Sequence, residues 1–265
     1  MTASAASKGA LSSDRAVRGE TLVRKLFALS GVVPLGIFLV LHLWTSAHAL
    51  ESDASFTSAQ RRTSSIPGLL VLELCLVFAP LALHAAYGTW LTVTRRALAS
   101  PSVYPRGVGT MMRVTGMIAL AYVAYHLFEL RFSPDARGIR ADEIYTVLAS
   151  RLSSRTLTVP LRAMFYMLGV AAIAFHFAAG LWGHVVARGW APAPRARVAA
   201  ALGFGAIGAA LFITAADVVT LFATGARLVG RDDMTPLVID SFAAPSACPP
   251  ASASAAGPSP SPPSP

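Results

Sequence analysis

Charge is scarce in this chain. Only 13% of its 265 residues are Asp, Glu, Lys or Arg, 54% are hydrophobic, and the mean hydropathy is +0.57. Soluble domains charge about a quarter of their positions, so an ordinary water-soluble globule is excluded. Cysteine is nearly absent as well. Cys75 and Cys248 form no C-x-x-C or C-x-x-C-H pattern, which removes a disulfide framework, a thiolate zinc site and covalent porphyrin attachment. The net charge of +9 does not point to nucleic acid. The basic residues stand in short clusters between apolar runs, the pattern by which Lys and Arg orient a chain in a bilayer.

What is abundant is long apolar sequence. Five runs reach the roughly 20 residues needed to cross a hydrocarbon core about 30 Å thick: Leu26 to Leu50, Gly68 to Thr94, Thr110 to Leu130, Pro160 to Ala187 and Val198 to Ala226. Exposed backbone cannot be satisfied in lipid, so each is expected to be a helix. The fold expected is therefore an all-α membrane protein of five transmembrane helices, the first four forming an up-and-down bundle. Ala47-His48-Ala49 resembles a leader-cleavage signal, but the uncharged run before it is too long for a leader's apolar core of about 7 to 15 residues.

Lys8, Arg15, Arg18, Arg24 and Lys25, with Arg95, Arg96, Arg106, Arg113, Arg188, Arg195 and Arg197, share one side of such a path with only Asp14 and Glu20. Short, acid-poor basic loops mark the cytoplasmic face. Residues 1–25 are thus expected on the cytoplasmic side, with the five-helix unit, 26–226, in the membrane. In the connection from about Arg131 to Val159, Ile144, Val147, Leu148 and Leu152 recur at helical spacing, the mark of a short amphipathic helix on the outer surface. Residues 227–265 end in a Pro/Ser/Ala tract that cannot bury a core and is expected to be disordered.

Four of the six histidines, His42, His84, His126 and His176, fall one each in the first four runs. Counted from Lys25, Pro67, Arg113 and Arg162, each lies roughly 20 to 25 Å into its helix at 1.5 Å per residue. Direction alternates, so His42 and His126 come to one level near the outer face, and His84 and His176 to another near the inner face. In an up-and-down bundle the first and third helices are diagonal, as are the second and fourth. Each pair then faces across the axis, the arrangement that six-coordinate haem iron requires of its axial ligands. Two such levels, about 15 to 20 Å apart, would form an electron path through the bilayer.

The neighbouring residues leave more than one reading open. Gly88 and Gly180 follow His84 and His176 by four residues, which either clears space for a porphyrin edge or marks close helix contact. Arg162 shares a helix face with His176 and is a candidate partner for the propionates of an outer haem, as Arg113 is for an inner one. Glu73 lies three turns before His84, toward the outer end of the same face. It is either a proton-exchanging group for a quinone or a structural carboxyl bonded to a neighbouring helix. His48 and His184 lie toward helix ends, and Asp217 in the fifth run reads as a packing contact. One intramembrane histidine can simply bond a helix carbonyl, but four at matched depths are a costly set. A reading of another class remains, a transporter whose histidines, Glu73 and Asp217 relay protons.

From about Lys25 to Ala226 the chain resembles the di-haem cytochrome b558 membrane anchors of bacterial succinate dehydrogenases and fumarate reductases. The resemblance lies in "GVVPLGIFLVLH" ending at His42, "LELCLVFAPLALHAAYG" with Glu73 and His84, "RVTGMIALAYVAYH" from Arg113 to His126, and "FHFAAGLW" around His176. It implies two non-covalent haems b, with His42 and His126 on the outer iron and His84 and His176 on the inner. It also implies a cytoplasmic iron-sulfur subunit, a flavoprotein beyond it where succinate and fumarate interconvert, and a quinone, typically menaquinone. The cytochrome b anchors of hydrogenases and formate dehydrogenases share this chemistry but place their histidines differently. Some fumarate reductase relatives carry a glutamate two residues before the fourth ligand where this chain has Ala174.

Overall fold

The computed structural model describes residues 22–94, 104, 107–136 and 138–227. Most of the expected cytoplasmic segment, the basic residues Arg95, Arg96 and Arg106, and the Pro/Ser tail beyond Arg227 lie outside these residues. The helices in chain order are α1 Leu22–Leu50, α2 Asp53–Ser64, α3 Leu69–Val93, α4 Val108–Phe132, α5 Ile144–Leu152, α6 Leu161–Ala187 and α7 Pro194–Thr224. Of these, α1, α3, α4, α6 and α7 are long and apolar enough to cross a membrane. The molecule is the all-α, five-span membrane architecture that the apolar runs imply, with no strand among the described residues. Large apolar side chains stand exposed along the spans, Trp44 at 70% and Val93 at 74% among them. In water this surface would be a liability, and in lipid it is the solvent-matched face. The end of the bundle where α1 begins is called the N-side below, and the opposite end the far side.

Proline explains where the helices depart from regularity. In α1 the helical pattern is interrupted at Val33, directly before Pro34, which has no N–H to give to the carbonyl of Ser30. In α3 the segment Leu74–Phe78 widens to a π-helix just before Pro80, which likewise cannot close the ladder. The last turn of α4, Phe128–Phe132, is also π-helical, closed by Ser133 N–H to the Phe128 carbonyl at 2.7 Å, and it stops at Pro134. The helix α7 begins with Pro194 in its first turn and ends at Gly225 in the left-handed region, φ 76°, the usual termination for a helix.

Packing is tightest between α6 and its neighbours α4 and α7. At Gly208 of α7 a Cβ would stand 2.8 Å from the Cβ of Ala178 and 3.1 Å from the carbonyl oxygen of Ala174. The two backbones can approach this closely only because the residue is glycine, the small-residue contact that joins helices in lipid. Ala174 is itself 5% exposed.

Two short helices close the far side. The amphipathic segment expected before the fourth span forms α5, Ile144–Leu152. The helix α2 is an addition to what the apolar runs foretold. It starts at Ser52, whose side chain accepts a hydrogen bond from the Ser55 N–H at 3.0 Å, with Asp53 in its first turn, so both the cap and the dipole favour a start there. Phe56 of α2, Tyr145 of α5 and Phe222 of α7 form a triangle of edge-on rings with centroids 5.0 to 6.0 Å apart. Ala49, Leu152, Tyr122, Tyr166, Val218 and Val219 continue this core. Phe56 is 1% exposed, so Phe56→Ala should lower stability by about 3–5 kcal/mol. Thermal unfolding of the purified protein in detergent measures it, and an unchanged melting temperature would mean that α2 contributes nothing to the cap.

Candidate cofactor site

On the N-side, His84 of α3 and His176 of α6 face each other with ring centroids 6.2 Å apart and planes at 88°. Each ring is anchored through Nδ1 to a backbone carbonyl of another helix. His84 Nδ1 donates to the Phe27 carbonyl of α1 at 3.2 Å, with Ser30 Oγ at 3.4 Å. His176 Nδ1 donates to the Met112 carbonyl of α4 at 3.1 Å, with Thr115 Oγ1 at 3.4 Å. A carbonyl only accepts, so Nδ1 carries the hydrogen in both rings and Nε2 is left with a bare lone pair. Phe27 also stacks on His84, centroids 4.6 Å apart at 15°.

Glycine makes room for both rings. A Cβ on Gly31 would lie 2.6 Å from His84 Cε1, and one on Gly116 would lie 2.9 Å from His176 Cε1. No other residue fits at either position without moving the imidazole.

On the far side, His42 of α1 and His126 of α4 face each other with centroids 5.9 Å apart and planes at 78°. Phe38 stacks on His42 at 5.5 Å, and Tyr122 and Tyr166 pack on His126 at 5.7 and 5.8 Å. The Nδ1 of His126 is buried without a hydrogen-bond partner among the described residues. Gly31 and His42 are eleven residues apart on α1, and Gly116 and His126 ten on α4. At 1.5 Å per residue both helices put the two histidine levels about 15 Å apart.

The donor set fits a metal macrocycle rather than a bare ion. Among the described residues no group of three or more His, Cys, Asp or Glu could hold a metal by itself, whereas iron inside a porphyrin needs only two axial ligands. Two nitrogen–metal bonds of about 2 Å, plus about 1.1 Å from each nitrogen to its ring centre, give centroids about 6 Å apart. Both observed separations, 5.9 and 6.2 Å, match that spacing.

Glu73, directly before the π-helical segment of α3, pairs at 2.7 Å with Arg131 in the π-helical segment of α4, and the two segments meet through Phe78 and Phe132 at 6.1 Å. Glu73 is therefore bonded to a neighbouring helix at the far side, with a quarter of its side chain exposed. Arg162 pairs through Nε with Glu129 Oε1 at 3.3 Å and donates through Nη1 to the Arg151 carbonyl at 3.0 Å. Arg113 follows Met112, at the level of the N-side pair. A Cβ on Gly88 would stand 3.4 Å from the ring of Phe27, and one on Gly180 would stand 3.9 Å from Met112 Cε. Both glycines thus stand beside the residues whose carbonyls hold the two rings, with room for an ordinary contact at either position. His48 Nδ1 turns back to the Trp44 carbonyl at 2.9 Å, and the buried Asp217 lies 3.7 Å from Arg227 Nε.

Ser30, Gly31, Thr115, Gly116 and Glu129 belong to the two sites although nothing in the spacing of the histidines singles them out. A signal existed for four of them: "SG" and "TG" stand in the first and third runs, 85 positions apart. Glu129 gave less warning, because it stands near the end of the third run, far in sequence from its partners. In the structure it is 8% exposed, accepts from the Tyr166 hydroxyl at 2.7 Å and pairs with Arg162. Removing one partner of such a buried set leaves the others unsatisfied, so Glu129→Ala should cost on the order of 3 kcal/mol. Glu129→Gln, which keeps an acceptor for Tyr166, should cost less, and equal melting temperatures for the two variants would refute this ranking.

The chain is 35% identical, over 179 residues, to the succinate dehydrogenase cytochrome b558 subunit of Bacillus subtilis (strain 168). The match covers 67% of this chain and 85% of that relative. No family model and no solved structure matches.

Proposed function

Because the chain belongs to the succinate dehydrogenase cytochrome b558 family, we propose that it anchors a succinate:quinone oxidoreductase in the bacterial inner membrane and carries two b haems. His84 with His176 would hold the inner haem and His42 with His126 the outer. The observation that supports this most directly is the pair of opposed imidazoles at each of two levels, 6.2 and 5.9 Å between centroids. Bound haem supplies one-electron transfer, and two levels about 15 Å apart divide the membrane into short electron steps.

The chain's own residues do the rest. Phe27 and Met112 hold the inner imidazoles by their carbonyls, which fixes the tautomer and raises ligand basicity. Arg113 and Arg162 supply positive charge for propionates at the inner and outer levels, Arg162 sharing its guanidinium with Glu129. Gly88 and Gly180 keep the flanking helix surface low.

The basic N-side, with Arg24, Lys25, Arg188, Arg195 and Arg197, faces the cytoplasm by the positive-inside rule. There it docks an iron-sulfur subunit, which exchanges electrons with a flavoprotein that holds the succinate site. A quinone, menaquinone by resemblance, reacts on the far side. Glu73 lies there at the α3–α4 junction with Arg131 beside it, placed to exchange protons as the quinone gains or loses two electrons and two protons. In its catalytic role this chain serves the quinone half of the reaction only.

A reduced-minus-oxidised spectrum of the purified protein should show haem b, at two haems per chain. His84→Ala should remove one and keep the other, and a variant retaining both would refute the ligand assignment. Co-purification of a flavoprotein and an iron-sulfur protein separates this reading from a hydrogenase or formate dehydrogenase anchor. Glu73→Gln should slow quinone-linked succinate oxidation on the order of 10²-fold without loss of haem. Unaltered turnover with quinone would leave Glu73 a structural ion-pair partner only.

A further inference from the structure

We infer that Ser30 and Thr115 are positioning residues for the inner pair, and that this site is built from two copies of one half-site. The inference rests on the haem reading above and concerns how the axial rings are held. In the first copy Phe27, Ser30 and Gly31 of α1 receive His84 of α3, with Gly88 one turn beyond. In the second, Met112, Thr115 and Gly116 of α4 receive His176 of α6, with Gly180 one turn beyond. The three receiving residues are 85 positions apart, and the histidine and its glycine 92. Contacts repeat along with spacing. Nδ1 meets a carbonyl at 3.2 and 3.1 Å and a hydroxyl oxygen at 3.4 Å in both copies, and the glycine next to that hydroxyl lies flush with the ring in both.

The hydroxyl has a defined part in this. Ser30 Oγ donates its own hydrogen to the Phe27 carbonyl at 2.8 Å, and Thr115 Oγ1 donates to the Met111 carbonyl at 2.7 Å. With those hydrogens committed, each oxygen turns a lone pair toward the imidazole N–H. The N–H is then shared between two acceptors on one helical turn. A single acceptor would leave the ring free to pivot about the N–H···O axis, whereas two acceptors define its plane. Each half-site sets its own ring plane on its own helix pair, and the two planes stand at 88°. At the far-side pair His126 shows no such arrangement, since its Nδ1 has no hydrogen-bond partner among the described residues.

Two consequences are measurable in the whole complex with its haems bound. The angle between axial imidazole planes governs the anisotropy of a low-spin ferric haem's electron paramagnetic resonance signal, and acceptor strength at Nδ1–H governs its potential. Ser30→Ala, Thr115→Ala and the double variant should each shift the largest g-value of the inner haem. Each single variant should raise its midpoint potential by about threefold in the one-electron equilibrium, about 28 mV at 59 mV per tenfold. The outer haem's signal and potential should stay fixed. Because both hydroxyl oxygens stand at the same 3.4 Å from the imidazole nitrogen, Ser30→Thr and Thr115→Ser should keep wild-type values. Both haems bound with unmoved inner g-value and potential in the alanine variants would overturn the inference, as would exchange variants as altered as the alanines. Wild-type protein free of haem would overturn it together with the proposed function, so the two failures are told apart by haem content.

Discussion

A polar group inside a bilayer must find its partner within the protein, and this constraint shapes everything in the molecule that is not simply apolar. The imidazoles are the clearest instance. Four histidines cross the interior, and each turns toward another from the diagonal helix instead of toward lipid. These meetings occur at two levels, one toward each end of the bundle. Glu129 obeys the same rule by collecting Tyr166 and Arg162 around it, as does Glu73 with Arg131.

The backbone adjusts where the side chains cannot. On α1 eleven residues separate Gly31 from His42, while on α4 ten separate Gly116 from His126. The extra residue in α1 coincides with the interruption at Val33 and Pro34, and a proline that leaves one carbonyl unbonded is a natural place for a helix to absorb it. The π-helical turns of α3 and α4 both lie at the far side, where Glu73 and Arg131 face each other. Wide turns of this kind redirect side chains without ending the helix.

The two ends of the bundle are held by different means. The N-side level depends on close backbone approach: glycines at 31 and 116 admit the rings, and carbonyls one turn earlier hold them. The far-side level depends on bulk, with Phe38, Tyr122 and Tyr166 packed on the histidines and the aromatic cap of α2 and α5 above. A ring held by two hydrogen bonds and a ring held by packing differ in basicity and freedom, so the two levels are chemically distinct although both present two imidazoles.

Hydropathy and periodicity determined the class of this protein, the number of spans to within a few residues at each end, and the amphipathic helix at Ile144–Leu152, because lipid crossing imposes a length and a composition that survive without tertiary information. Helix direction and the 1.5 Å rise were enough to say which histidines share a level, since both are properties of single helices. Only the tertiary structure decided what the second nitrogens of His84 and His176 meet, that Arg162 belongs with Glu129, and that Gly88 and Gly180 stand beside Phe27 and Met112. The helix α2 also came from the fold, since Phe56 finds its place only between Tyr145 and Phe222. These are contacts between helices far apart in the chain. They depend on rotation and tilt about each axis, which a hydrophobic face nearly uniform around the helix leaves unspecified.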